Sequence, residues 1–334
     1  MKIAVIGAGA IGGLVAGYLK AGGHEVTLVA RAPAVKAIRG EGLRISGARG
    51  PRRIELEVVE RLTSRPELAI AATKTQDLAS AIEENKSFLE KIPFLTTQNG
   101  VRADEIAAGI LGKKDIVSSI VMFGATSLEP GVVVHNFEGA WLIGRPFGET
   151  DELTAKLSAV LDVVAPTLVS PDLTGMKYLK VFVNAGNCLP ALLGTSIQET
   201  FSDVRISAVS IAVWKEGLEA VRKAGITLAS LPDFPLERIT KLTALPLAEA
   251  ARIFSGIMTG LSKEPLYGSV LQSLKRGKRS EIDYINGEFV NLARQAGISA
   301  PLNEKLVGMV HRVEQTKDFF TAEQVLESVK GLVS

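Results

Sequence analysis

Three groups of residues in this chain combine types and spacings that chemistry can use. The first is Gly7-Ala8-Gly9-Ala10-Ile11-Gly12, a GxGxxG pattern. There the first glycine permits a tight turn, the second lets backbone approach a pyrophosphate, and the third lets a helix pack closely on a strand. The helix N-terminus that follows offers free N–H groups to the phosphates. The second is Arg31, which stands where an NAD-binding chain usually carries a carboxylate for the ribose 2′-hydroxyl. A guanidinium there pairs bidentately with a 2′-phosphate, favouring NADP(H) over NAD(H); a solvated surface arginine is the competing reading. The third is Lys180 with Asn184, four residues apart on one helical face amid apolar neighbours. Either the lysine snorkels while the asparagine caps a neighbouring element, or the ammonium is partly desolvated. In the second case its pKa falls toward the working range and its proton can reach a reacting oxygen.

These residues need elements to hold them. The apolar run Ile3-Ala4-Val5-Ile6 reads as a buried parallel strand, residues 10–20 as a helix and residues 25–29 as a second strand, which completes a βαβ unit around the glycines. Strands over 68–72 and 94–97 end at Thr73-Lys74-Thr75-Gln76 and Gln98-Asn99-Gly100. Ligands of doubly wound sheets bind beyond such strand ends, so Lys74 and Asn99 are candidate cofactor contacts. A solvated lysine and a turn-forming Asn-Gly are the alternatives. A strand over 116–123 leads into Gly124-Ala125-Thr126. Residues 132–134 start a hairpin-like edge that returns through 141–144, and after a helix over 151–161 the strand pattern stops. Pro166 and Pro171 interrupt any regular element over 167–170 and mark a linker. Beyond it, residues 176–189, 204–224, 247–257, 281–295 and 301–317 carry helical periodicity. In the segment Ser280-Glu281-Ile282-Asp283, Ser280 is expected as N-cap with Asp283 in capping-box position. Gly297 is expected to end that helix. Glu281 falls in the first turn, where complementing the helix dipole is explanation enough. The fold class is therefore α/β, a Rossmann-type doubly wound sheet over 1–170 followed by an all-helical domain over 171–334.

Composition narrows the function classes. The 334 residues suffice for two domains with separate cores. Lys+Arg at 38 against Asp+Glu at 36 leaves a net charge of +2, so no overall field recommends nucleic acid or an anionic membrane. With 46% hydrophobic and 22% charged residues the chain is neither disordered nor fibrous. One cysteine, Cys188, closes no intrachain disulfide, and His24, His135 and His311 lack zinc-ligand spacing. No metal is expected, and a reduced, cytoplasmic compartment is. Residues 1–20 invite reading as a signal peptide, but five glycines, at 7, 9, 12, 13 and 17, weaken a membrane-inserting helix. The apolar helices of the second domain fit either an internal core or a homodimer interface.

The glycine turn, Arg31, Lys74, Gln98-Asn99-Gly100, Lys180-x-x-x-Asn184 and Ser280-Glu281-Ile282-Asp283-Tyr284-Ile285-Asn286-Gly287 together resemble the ketopantoate reductases, or 2-dehydropantoate 2-reductases. The likeness spans both domains. It implies NADPH-dependent reduction of 2-dehydropantoate to pantoate, in pantothenate biosynthesis. Lys180 would be the general acid, Asn184 its partner, and Glu281 the acidic residue of the active site and cofactor contact. Lys74, Asn99 and Ala125 would touch NADPH, and Ser269 the substrate. Asn184, Asn99 and Ser269 would orient the 2-oxo acid, held in a crevice between the domains. Where the family usually repeats asparagine four residues past the first, this chain has Cys188, with Asn187 one residue earlier. Either a slight rotation preserves the contact or the substrate pocket has changed. A same-fold reductase of another 2-oxo acid and a non-catalytic NADP-sensing protein are the competing functions.

Overall fold

The computed structural model describes residues 1–333, the Leu128 side chain excepted. The chain divides into two compact units, Met1–Thr174 and Gly175–Ser334.

The first unit opens with β1 (Lys2–Ile6), α1 (Ala10–Ala21), β2 (Glu25–Val29), α2 (Ala32–Glu41), β3 (Leu43–Gly47), β4 (Arg52–Ile54) and β5 (Glu57–Val59). It continues through β6 (Leu68–Ala71), α3 (Thr75–Glu83), α4 (Lys86–Leu89), β7 (Phe94–Thr96), α5 (Ala103–Leu111) and β8 (Ile116–Val121). It closes with β9 (Gly124–Glu129), β10 (Val132–Phe137), β11 (Trp141–Gly144), α6 (Glu152–Leu161) and β12 (Thr167–Val169). Eight strands form one sheet in the order β12-β11-β8-β7-β6-β1-β2-β5, parallel except for the antiparallel pairing of β11 with β8. Both faces are covered, which is why β1 is continuously apolar. Ile3 and Val5 pack into one core with side chains of α1, α6 and the smaller sheet, while Ala4 and Ile6 pack into another with α3, α4 and α5. Strand order reverses between β1 and β6, so the turn after β1 lies at the switch point where such sheets take ligands.

Two expectations for this unit are corrected. Residues 167–169 are a strand: β12 pairs in parallel with β11 at the sheet edge, and Pro166 and Pro171 fall just outside it, where a missing N–H costs no ladder bond. The expected hairpin between 132–134 and 141–144 does not form. β10 pairs instead with β9 and β3 in a separate four-stranded sheet, β4-β3-β10-β9, while β11 joins the main sheet.

The rest of the chain is helical: α7 (Leu173–Ala185), α8 (Cys188–Leu193), α9 (Ile197–Ser202), α10 (Val204–Lys223), α11 (Glu237–Ala244), α12 (Leu247–Thr259), α13 (Ser269–Lys275), α14 (Asn286–Gln295), α15 (Pro301–Thr316) and α16 (Ala322–Ser328). The long helix α10 is the axis, packed against α9, α11, α12, α14 and α15. Its Trp214 donates to the Phe182 carbonyl at 2.8 Å and meets Phe254 edge-on at 5.2 Å, and Phe182 lies 4.6 Å from Phe289. Glu216 caps α15 from outside: its carboxylate accepts from the Leu302 and Asn303 amides at 2.9 and 2.8 Å, two groups that a helix cannot satisfy itself. Glu216→Ala should therefore cost about 1–3 kcal/mol in a denaturant titration, since it strands buried donors. An unchanged midpoint would remove the cap from the account.

Here too the periodic stretches break. Residues 176–189 divide between α7 and α8 across Gly186-Asn187. The helix expected over 281–295 starts only at Asn286, after a 3-10 turn at Ile282–Tyr284, and Ile285 between them is non-helical at φ −115°, ψ −91°. Asp283 is no capping-box partner: its carboxylate lies 2.9 Å from His311 Nε2 on α15. The Ser280 N–H and hydroxyl both donate to Glu314 at 2.7 Å, which ties the start of this segment to the same helix. Gly297, at φ +72°, does follow the last turn of α14 as expected.

Candidate active site

The glycine turn is shaped by what its glycines exclude. Gly7 has φ +111°, and a Cβ there would lie 2.8 Å from the backbone of Ala72 and Thr73 at the end of β6. A Cβ on Gly12 would lie 1.8 Å from the Gly7 carbonyl oxygen, so α1 can approach β1 this closely only with glycine. Gly9, the N-cap of α1, differs: a Cβ there meets nothing within 4 Å. The first turn of α1 carries no acidic side chain and its N-cap makes no side-chain hydrogen bond, so nothing from the helix itself caps its N-terminal dipole. Beside the turn, the Thr73 hydroxyl is buried without a hydrogen-bond partner. A bare helix N-terminus, open space over Gly9 and an orphaned hydroxyl fit the pyrophosphate of a dinucleotide.

Two cations border this cradle. Arg31 follows β2 as the N-cap of α2, its side chain 80% exposed, with Nη2 3.1 Å from Asp77 in the first turn of α3. Lys74 is the N-cap of α3 and accepts, through its carbonyl, the Asp77 amide. The sequence reading had no place for Asp77. An Arg–Asp pair this exposed contributes little to stability, so the guanidinium remains available to an anion.

Asn99 is set by its neighbour. Gln98 is buried, and its side-chain amide donates to the Ala71 and Thr73 carbonyls at 3.1 Å while its oxygen accepts from Thr97 N at 3.1 Å. This clamps the end of β7 to the segment that lines Gly7 and leads into Lys74. Gly100 follows at φ +83°, a left-handed conformation that bends the chain just after Asn99. Buried Asp104 in α5 accepts from the Thr96 and Ser118 hydroxyls and fixes the same loop from below. Neither clamp shows in the sequence, because glutamine and aspartate near strand ends ordinarily face water. Ala125 sits on β9, paired with His135.

In the helical unit Lys180 lies in the middle of α7 and Asn184 one turn later, both partly buried. Burial pulls the Lys180 ammonium down to about 8; the charge of Lys177 pushes the same way and Glu281 opposes them. Glu281 stands just ahead of the 3-10 turn, close enough for its charge to act on Lys180. Ser269 is the exposed first residue of α13. A Cβ on Gly268 would lie 3.0 Å from Asn187 Cγ, so the structure sets Asn187 beside Ser269's segment. Cys188 follows Asn187 directly. It is fully buried at the start of α8, and that burial pushes its thiol up to about 12. Because the helix breaks after Ala185, neither residue continues the α7 face that carries Asn184.

Residues 3–146 match the family described as ketopantoate reductase PanE/ApbA, and residues 172–314 match that family's C-terminal region. The chain belongs to the ketopantoate reductase family. It is accordingly an oxidoreductase of the 2-dehydropantoate 2-reductase type. A 2-dehydropantoate 2-reductase of Pyrococcus horikoshii is 30% identical, over 94% of this chain and 98% of the relative. Among solved structures, a PanE/ApbA family ketopantoate reductase from Ralstonia eutropha superposes with a TM-score of 0.80 at 28% identity, covering 95% of this chain and 99% of that one. D-mandelate dehydrogenase, solved with NADH and anilino(oxo)acetate, shares the fold with a TM-score of 0.81 at 22% identity over 95% and 99%. Among the described residues of this family member, no helix is long and apolar enough to cross a membrane, and no cluster of His, Cys, Asp and Glu is arranged to hold a metal.

Proposed function

We propose that the protein reduces 2-dehydropantoate to pantoate with NADPH, a step of pantothenate biosynthesis. The observation that carries this reading is Lys180: a partly buried ammonium whose pKa, about 8, suits a general acid near neutral pH, with Glu281 acting on it. The relatives named 2-dehydropantoate 2-reductase, matched over nearly their whole lengths, support the substrate.

In this reading Gly7 to Gly12 and the N-terminus of α1 hold the pyrophosphate, Arg31 holds the 2′-phosphate, and Lys74, Asn99 and Ala125 border the rest of the cofactor. Reduced nicotinamide, when bound, supplies the hydride for the C2 carbonyl carbon. Lys180 stabilises the negative charge that grows on the carbonyl oxygen and then gives its proton to that oxygen, leaving a secondary alcohol and a neutral amine that water reprotonates. Asn184 and Ser269 orient the substrate by hydrogen bonds, and Glu281 holds Lys180 in its charged form.

Arg31→Ala tests the cofactor assignment. It should raise KM for NADPH about tenfold to a hundredfold, as for loss of charge-assisted hydrogen bonds, and leave NADH use nearly unchanged. An unaltered NADPH/NADH preference would refute the phosphate role. A second reading, reduction of a different 2-oxo acid, is favoured by burial of Cys188 where the family usually has its second asparagine. Steady-state NADPH oxidation against a panel of 2-oxo acids that includes 2-dehydropantoate separates the two.

A further inference from the structure

Lys177 has no part in the reading above, yet it is only 5% exposed. Lysine is almost never this buried without a reason, because its ammonium must give up water. Lys177 stands three residues before Lys180 on α7, so the two side chains share one face and lie about 5–6 Å apart at their Cβ atoms.

We propose that Lys177 is a positioning residue for proton transfer: a fixed like charge one turn from Lys180, balanced by Glu281, that sets the acidity of the general acid. The inference rests on the assignment of Lys180 as that acid. A neighbouring ammonium disfavours a second one, and a neighbouring carboxylate favours it. The charged groups acting on Lys180 are Lys177 from its own helix and Glu281 from the segment before the 3-10 turn, with opposite signs. A lysine at its ordinary pKa would be a weak acid toward a developing alkoxide. One shifted by burial and by Lys177 transfers its proton with more driving force while staying mostly protonated at neutral pH. Lys177 acts through the field at Lys180, so it has no need to touch substrate.

The test is the pH dependence of kcat for 2-dehydropantoate reduction by the full chain with NADPH. Lys177→Met should move the alkaline limb upward by about half a unit or more and lower the neutral-pH plateau severalfold. Lys177→Arg, which keeps the charge, should restore the wild-type limb, a rescue that a merely structural role would not produce. Glu281→Gln should move the limb the other way. Lys180→Ala serves as the reference: if it leaves kcat intact, the acid assignment falls and the inference with it. If it abolishes turnover while the Lys177→Met limb coincides with wild type, the acid stands and this inference alone is overturned. Should the methionine variant not fold, Lys177→Gln and a 13C NMR titration of the Lys180 ε-carbon in the wild-type chain decide. A midpoint near 8 and its rise in the glutamine variant are expected. A wild-type midpoint at the ordinary lysine value, about 10.4, overturns the proposal.

Discussion

Lys180→Ala should lower kcat for carbonyl reduction by about 10²- to 10⁴-fold, the contribution of a positioned general acid, while the Kd for NADPH changes less than about twofold. The proton and the charge stabilisation both come from one nitrogen, so both go together. Lys180→Arg separates them: the guanidinium keeps a positive charge near the oxygen but does not release its proton, so most of the loss should persist. In the wild type, kcat should fall as pH rises through about 8, where the acid deprotonates. Stability supplies an independent check. The folded pKa, about 8, lies below the ordinary lysine value of 10.5, so between those two values the unfolded chain binds more protons and stability from this group rises with pH. Below about pH 8 the fold carries the whole cost of a desolvated ammonium, so Lys180→Met should raise Tm at neutral pH even as it removes activity. A Lys180→Ala enzyme with wild-type kcat would remove this residue from the chemistry.

How much of this was legible in the sequence differs between the two units for physical reasons. In the sheet, apolar strands buried on both faces leave runs such as Ile3-Ala4-Val5-Ile6, and glycines that exclude a Cβ mark the turn without ambiguity. β12 escaped because its flanking prolines read as a linker, although an edge strand tolerates them just outside its ladder. The smaller sheet escaped because β9 and β10 pair locally while β3 joins them from far along the chain, and register of that kind has no local signature. Among the helices, periodicity marked the long α10 and α15 to within a residue, but at the site it ran over two breaks, at Gly186-Asn187 and at Ile285. Those breaks set Asn187 beside Ser269's segment and Cys188 at the buried start of α8. The burial of Lys177 and of Gln98 did not show, because a lysine on a helix and a glutamine just past a strand end are ordinarily assigned to water, yet both are buried.

The second large effect concerns the glycine turn, where two alanine substitutions a few residues apart should fail differently. In Gly12→Ala the new methyl would need space 1.8 Å from the Gly7 carbonyl oxygen and 2.9 Å from Ala72 Cβ, and the first of these is backbone that no rotamer change can move. α1 must lift from β1, at a cost of about 3 kcal/mol or more for overpacking, so Tm and NADPH binding should fall together. Gly9→Ala meets nothing within 4 Å, and Gly9 sits at φ −79°, which alanine adopts freely. Its fold should therefore be kept, with Tm within a few degrees of wild type. Its methyl, however, stands in the open space before the α1 amides, where a pyrophosphate must approach the backbone. NADPH affinity, followed by nicotinamide fluorescence, should drop by at least about tenfold, and by more than the loss for a 2′-phosphoadenosine fragment that lacks the pyrophosphate. If Gly9→Ala bound NADPH as tightly as wild type, the dinucleotide would not lie over this turn, and the open space at Gly9 would need another occupant.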